Sequence, residues 1–511
     1  MLTIRKRSSK GTAYAREDLA LAVIVTGVLM TAIDTTIVVL ALPSIERDLH
    51  IGLASVIWVI ISYLLIITVL ATQVGKLGDM FGRVKMYQFG FLVFILGSLL
   101  CALSWNEASI VSFRLIQGIG GALIASNAGA VIADTFPPER RGRAYGYNAV
   151  GWSMGAVIGI LLGGLLITYI SWRWVFWINV PIGAVAFVAA LSVLHDPGER
   201  RQHRLDIGGT VTLGLGLYGV LWAMTRLATN GLDATLTGYL VGGLVLLGVF
   251  VILEHRVQEP TVGLSLFLMP TLAPSLLAAF FQSLANFSVL FLVIMYLQGS
   301  RHLSPIDASL LLIPGNLLGV VIAPYSGRLS DRRNPVLPAT AGLAIQVIAL
   351  LVYAQLGMSS GLWLVVLASV VNGLGGSAFF PANNSAVMKA APSNLFGVSS
   401  GMLRTFSNIG MVFSFSLAIL ISSRSIPRGL AFAIFVGTKG LVGPLAAAFS
   451  NGIHAAFYAS SSLLVVAALL SATRVKSAKL HLSSPPTSPR DDSATGDISV
   501  EVSQEATVPE P

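Results

Sequence analysis

Gly75-Lys-Leu-Gly-Asp79 returns 252 residues later as Gly327-Arg-Leu-Ser-Asp331, each time just after a long apolar run. Working outward from this pair, Gln117-Gly-Ile-Gly-Gly-Ala122 matches Asn372-Gly-Leu-Gly-Gly-Ser377. Gly142, Gly146 and Gly155 match Gly397, Gly401 and Gly410, and Asp34 falls opposite Asn286. All of these offsets lie between 252 and 255 residues. A repeat of this length means two like halves in parallel order. In membrane chains such paired halves are a transporter architecture, with a substrate site near the midplane where the halves meet.

The composition says which solvent the halves occupy. Of the 511 residues 55% are hydrophobic and only 11% charged, less than half the roughly 25% of a water-soluble chain; mean hydropathy is +0.80. About 20 apolar residues cross a hydrocarbon core as a helix. Read against that length, runs near 19–41, 56–75, 86–104, 109–134, 144–170, 174–194, 206–226, 236–254, 271–297, 305–325, 337–356, 361–388, 396–422 and 453–472 give fourteen spans. The expected fold is an all-α membrane protein of two six-helix bundles plus two inserted helices. Its expected divisions are a cytoplasmic segment 1–18, a bundle 19–194, a linker with the inserted helices 195–255, a bundle 256–474 and a disordered tail 475–511. A run at 429–436 is short enough to be re-entrant or interfacial.

Charge sets the orientation. The net charge is +9, but the basic residues fall in short loops, which reads as topology rather than as a nucleic-acid surface. With the N-terminus inside, roughly 23 Lys and Arg face the cytoplasm and about 7 face outward, the usual bias. Arg424, Arg428 and Lys439 are the exception. Both termini are then cytoplasmic, in a multi-pass protein of the inner (plasma) membrane. No small-residue cleavage site follows the first apolar run, so it is expected to stay as an uncleaved span.

Four segments carry a resemblance. Asp34-Thr-Thr-Ile-Val-Val-Leu-Ala-Leu-Pro43, Gly75-Lys-Leu-Gly-Asp-Met-Phe-Gly-Arg83, Arg114-Leu-Ile-Gln-Gly-Ile-Gly-Gly-Ala122 and Trp172-Arg-Trp-Val-Phe-Trp-Ile-Asn-Val-Pro181 together resemble the fourteen-span drug:proton antiporter branch of the major facilitator superfamily. The likeness runs from about 19 to 472. It departs from that branch in the fifth span, where Ala156 stands in place of a proline and Ile160 in place of a glycine. The glycine spacing for close helix packing, Gly151, Gly155 and Gly159, is kept. The resemblance implies secondary active transport by alternating access: proton-driven export of a small organic molecule such as a drug or metabolite. The alternatives are uptake or uniport, and a non-transporting membrane sensor or scaffold.

Ionisable residues at membrane depth are functional candidates by default. Asp34 and Arg114 lie at similar depth, roughly 8–12 Å below the outer surface at 1.5 Å per residue, so they can pair or share a water network. Asp34 is the candidate proton carrier and Arg114 its tuner; a fixed structural ion pair is the competing reading. Gly75, Gly78, Asp79, Gly82 and Arg83, with Arg141 and the repeat's Gly327 and Asp331, form the candidate gating loop. Gln117, Gln282, Asn286, Tyr296, Asn372, Asn383 and Arg404 are candidate substrate contacts, each also able to serve as a helix-helix hydrogen bond. With one acid against two arginines at depth, a cavity leaning positive favours anionic, zwitterionic or neutral substrates.

Other signals lead nowhere. Gly151-Trp-Ser153-Met-Gly155 has the spacing of a hydrolase nucleophile, but it sits in an apolar span without the strand-turn-helix context. Gly214-Leu-Gly216-Leu-Tyr-Gly219 lacks the strand and the ribose-binding acid of a dinucleotide site. One cysteine, Cys101, excludes an internal disulfide, and the seven histidines have no metal-ligand spacing. The chain is therefore expected to be a non-enzymatic monomer without cofactor or metal, its partners being a small-molecule substrate, protons and the lipid bilayer.

Overall fold

The computed structural model describes residues 3–196, 200, 202–231, 233–257, 269–270, 272–332, 334–391, 396–422 and 444–483. Within them fourteen helices are long and apolar enough to cross a membrane, and there is no strand. In chain order they are α1 (Thr3–Leu49), α2 (Trp58–Phe81), α3 (Arg83–Ala102), α4 (Glu107–Thr135) and α5 (Pro138–Tyr169). Next come α6 (Trp174–Val193), α7 (Ile207–Asn230), α8 (Ala234–Glu254) and α9 (Leu272–Ser300). The last five are α10 (Pro305–Arg332), α11 (Val336–Tyr353), α12 (Trp363–Ala390), α13 (Phe396–Ser422) and α14 (Pro444–Ser483).

All fourteen spans predicted from apolar length fall on these helices, because chain without helical hydrogen bonding has no place in hydrocarbon. Two ends differ. The first helix starts at Thr3, before its apolar stretch, and the last runs on to Ser483, past the predicted start of the tail at 475. Arg, Lys, Ala and Leu, all good helix formers, carry both extensions outward. The run 429–436, the residues Arg333, Arg424, Arg428 and Lys439, and the tail 484–511 lie outside the described residues, as do the side chains of Asp331 and Arg332.

The parallel repeat is visible in the packing. α1 lies on α5 as α9 lies on α13; α3 lies on α4 as α11 lies on α12; α2 packs with α4 as α10 does with α12. Glycines make these contacts close. A Cβ added to Gly155 would sit 2.7 Å from the Ala32 Cβ and 2.8 Å from the Leu29 carbonyl oxygen. Its counterpart Gly410 presses on the backbone of Phe280 and Leu284 of α9. Gly151 meets Val25, and Gly159 meets Ile33 and Thr36, so the stripe set four residues apart in α5 rides along α1. The Thr36 hydroxyl donates to the Ala156 carbonyl at 3.4 Å.

The halves meet along two seams, α2 with α13 and α5 with α10. The inserted α7 packs on α8, on α13 and on α2, and α8 has α7 as its neighbour.

Candidate functional site

Five helices of the first half converge on one polar cluster. Arg114 Nη1 donates to Asp34 Oδ2 at 2.6 Å and to Gln117 Oε1 at 2.7 Å. Gln117 Nε2 donates to Asp34 Oδ1 at 2.8 Å and to the Ser98 hydroxyl at 3.0 Å. Arg114 Nε donates to the Val59 carbonyl at 2.7 Å. Asn179 of α6 donates to Ser98 at 3.1 Å. The guanidinium lies 4.1 Å from the centre of the Tyr63 ring and 5.7 Å from that of Phe176. Asp34, Arg114, Gln117 and Ser98 are all 0% exposed.

Chain geometry explains the convergence. Arg114 and Gln117 are three apart on α4 and share a face, and Gly97 of α3 lets the Gln117 backbone approach closely. The carboxylate thus has both oxygens occupied and is sealed from solvent. Taking a charge pair out of water is expensive, and hydrogen bonds to the remaining donors and acceptors are what make it tolerable.

At the bundle end that carries the N-terminus, Arg83 Nε donates to Asp79 Oδ1 at 2.7 Å and Nη1 to Asp134 Oδ1 at 2.7 Å. Gly82, between the two helices, has φ +111°, the left-handed region where a Cβ is disfavoured. Gly78 faces Asn127, whereas a Cβ added to Gly75 would meet no neighbouring element within 4 Å. His203, in the segment before α7, stands 3.5 Å from Asp79. Arg141 donates instead to the Phe136 carbonyl at 3.0 Å. In the second half Gly327 lies near Pro381, and Lys389 donates to the Ser330 carbonyl at 2.7 Å.

The remaining candidates separate into four places. Gln282, Gln346 and Asn372 form an amide chain at 3.3 and 3.4 Å, while Gln282 Oε1 and Asn286 Oδ1 are buried without a partner among the described residues. Tyr296 donates to the Gly357 carbonyl at 2.8 Å, and Asn383 bonds both Ser275 and Arg474. Arg404 Nη1 donates to the Ala125 carbonyl at 2.9 Å, a bond from one half to the other, and its side chain is solvent-exposed.

The two halves touch firmly at the end opposite the N-terminus. There Gly164 meets Ser309 and Ile306, and the Ile306 amide donates to the Thr168 hydroxyl at 3.2 Å. Toward the N-terminal end Gly146, Val150 and Trp152 of α5 and Leu318, Val321 and Tyr325 of α10 are exposed. A separate cavity of about 450 Å³ lies at the closed end between α2, α4 and α7, walled by Trp58, Tyr218 and Trp222 with Glu107 and Arg226.

Two structural features escaped the sequence. Asp134 completes the Arg83 bridge from the end of α4, a tertiary contact with no local signal. Glu46, near the end of α1, is 5% exposed with one carboxylate oxygen lacking a partner among the described residues.

The family model described as Major Facilitator Superfamily matches residues 24–415. The chain belongs to this superfamily. Among curated relatives, the tetracenomycin C resistance and export protein of Streptomyces glaucescens is 32% identical over 79% of this chain and 76% of its own. The puromycin resistance protein pur8 of Streptomyces alboniger is 31% identical over 80% and 83%. Among solved structures, a bacterial homologue of the human lysosomal transporter Spinster, inward-facing and unoccupied, superposes with TM-score 0.62 at 17% identity, covering 90% of this chain and 98% of that one. This major facilitator protein is therefore a multi-pass membrane transporter whose fold is that of its superfamily.

Proposed function

We propose that this transporter is a proton-coupled exporter of a small organic molecule, lying in the plasma membrane with both termini in the cytoplasm. The observation that carries the reading is the Asp34 carboxylate, 0% exposed and bonded to Arg114 and Gln117. Protonation of Asp34 turns an accepting oxygen into a hydroxyl and removes the charge that balances Arg114. The buried guanidinium is then uncompensated, so α1 and α4 must readjust. Proton occupancy is thereby linked to helix position, and a ligand that distinguishes two states shifts the balance between them.

The N-terminal end is then the cytoplasmic mouth, and the contact of Gly164 with Ser309 the outer seal. Arg83, Asp79 and Asp134 tie α2, α3 and α4 together at that mouth. Export rather than uptake draws on the relatives, one named for resistance and export and another for resistance. Ala156, where the resembling branch has proline, favours keeping uptake or uniport as the second reading.

The test is loss of a pH gradient in everted vesicles, comparing wild type with Asp34→Asn across cationic, neutral and anionic compounds. A compound that collapses the gradient only with wild type supports the proposal. Equal response from both proteins makes the Asp34–Arg114 pair purely structural. Substrate flux in the opposite direction selects uptake.

A further inference from the structure

We propose that Arg404 is the receptor for an oxyanion, a carboxylate or phosphate group carried by the transported molecule. This rests on the reading of the chain as a small-molecule transporter and names the substrate class of that path.

The sequence places three charges at membrane depth: Asp34, Arg114 and Arg404. The structure disposes of two of them. Asp34 and Arg114 neutralise each other 2.6 Å apart, with side chains 0% and 1% exposed, so neither offers charge to a solute between the halves. Arg404 is the one left accessible. It keeps exposed surface, and its hydrogen bond to Ala125 of α4 crosses from the second half to the first. That bond ends on a backbone carbonyl. No carboxylate pairs with Arg404 among the described residues.

A guanidinium has five N–H donors in a planar fork. One of those on Arg404 is used by Ala125, so the rest of the fork is free to meet a planar oxyanion in the bidentate geometry that suits arginine. An unpaired charge kept at depth is a functional feature by default. Ser407 lies three residues on, at the spacing that shares a helix face, and its hydroxyl is suited to a second hydrogen bond. An organic cation meets the same charge as repulsion, and the Asp34 carboxylate is sealed from it. The site therefore selects by sign.

The experiment uses purified full-length wild type, Arg404→Gln and Arg404→Lys, each checked for a monodisperse gel-filtration peak. Ligand-induced thermal stabilisation is measured with a panel of amphipathic compounds divided equally among carboxylates and phosphates, neutral molecules and ammonium ions. The expected result is that the anionic third supplies the binders. Their affinity falls roughly 10- to 100-fold in Arg404→Gln, the loss of one or two charge-assisted hydrogen bonds. Arg404→Lys restores part of it, and neutral binders are unchanged. The proposal is overturned if cations are the binders, if no anion binds, or if Arg404→Gln weakens every class alike, which would make Arg404 a strut between the halves. The vesicle assay separates the two readings. If wild type moves no compound of any charge, the transport reading itself fails. If it moves compounds that Arg404→Gln moves equally well, only the anion receptor fails.

Discussion

Replacing Asp34 and Arg114 singly and together reads out what the buried pair does for the fold. The side chains are 0% and 1% exposed, so solvent does not weaken the interaction between them. Asp34→Asn leaves the guanidinium without a counter-charge. It also turns an amide toward Gln117 Nε2, so that one of two donors goes unmet, whichever way the amides turn. Removing one partner of a buried pair costs about 3–5 kcal/mol. Arg114→Met leaves the carboxylate with Gln117 alone and falls in the same range. The double variant Asp34→Asn/Arg114→Met buries neither charge, and such replacements are often neutral. It should therefore lie within ~2 kcal/mol of wild type, a coupling of about 3 kcal/mol or more between the sites. Unfolding in detergent micelles, followed by tryptophan fluorescence, measures all four proteins. If the double variant is as unstable as the sum of the singles to within ~0.5 kcal/mol, the pair is not a shared interaction and the argument from its geometry collapses. Regained stability without regained proton coupling is the outcome expected of a group that both holds and senses.

Two further expectations follow from packing and burial. Gly159→Ala puts a methyl against the Ile33 carbonyl at 2.8 Å and against the Thr36 hydroxyl, so α1 and α5 must part at a cost of about 1–3 kcal/mol; Gly142→Ala, with nothing within 4 Å, should be neutral or stabilising by roughly 0.5–1 kcal/mol. Thermal unfolding of the two variants should therefore shift in opposite directions, and equal shifts would dismiss the glycine stripe as a close-packing device. Glu46→Gln removes a buried acid with an unpartnered oxygen and should raise stability by about 1 kcal/mol; a lower melting temperature in lipid nanodiscs would mean that Glu46 has a partner there.

Much of this was legible from one dimension. Apolar length marks a span without reference to any neighbour, which is why fourteen helices fall where the runs predict them. Depth along a helix is likewise a count of residues, and Asp34 and Arg114, predicted to share a level, meet at 2.6 Å. What a single sequence conceals is rotation about each helix axis and the approach of distant helices. Gln117, read as a substrate contact, faces Asp34 and Arg114 in the sealed cluster. Arg83 finds Asp134, 51 residues away, and Arg141 turns back to its own segment. Both are facts of packing that no spacing rule encodes.

The inserted helices bear on the surrounding lipid. The halves join along two seams, and α7 lies against α2 and α13, the helices of one of them. Among the described residues the α5–α10 seam has no such cover. A two-fold repeat has thus been given a handed outside: one flank is backed by an extra pair of helices and, among the described residues, the other is not.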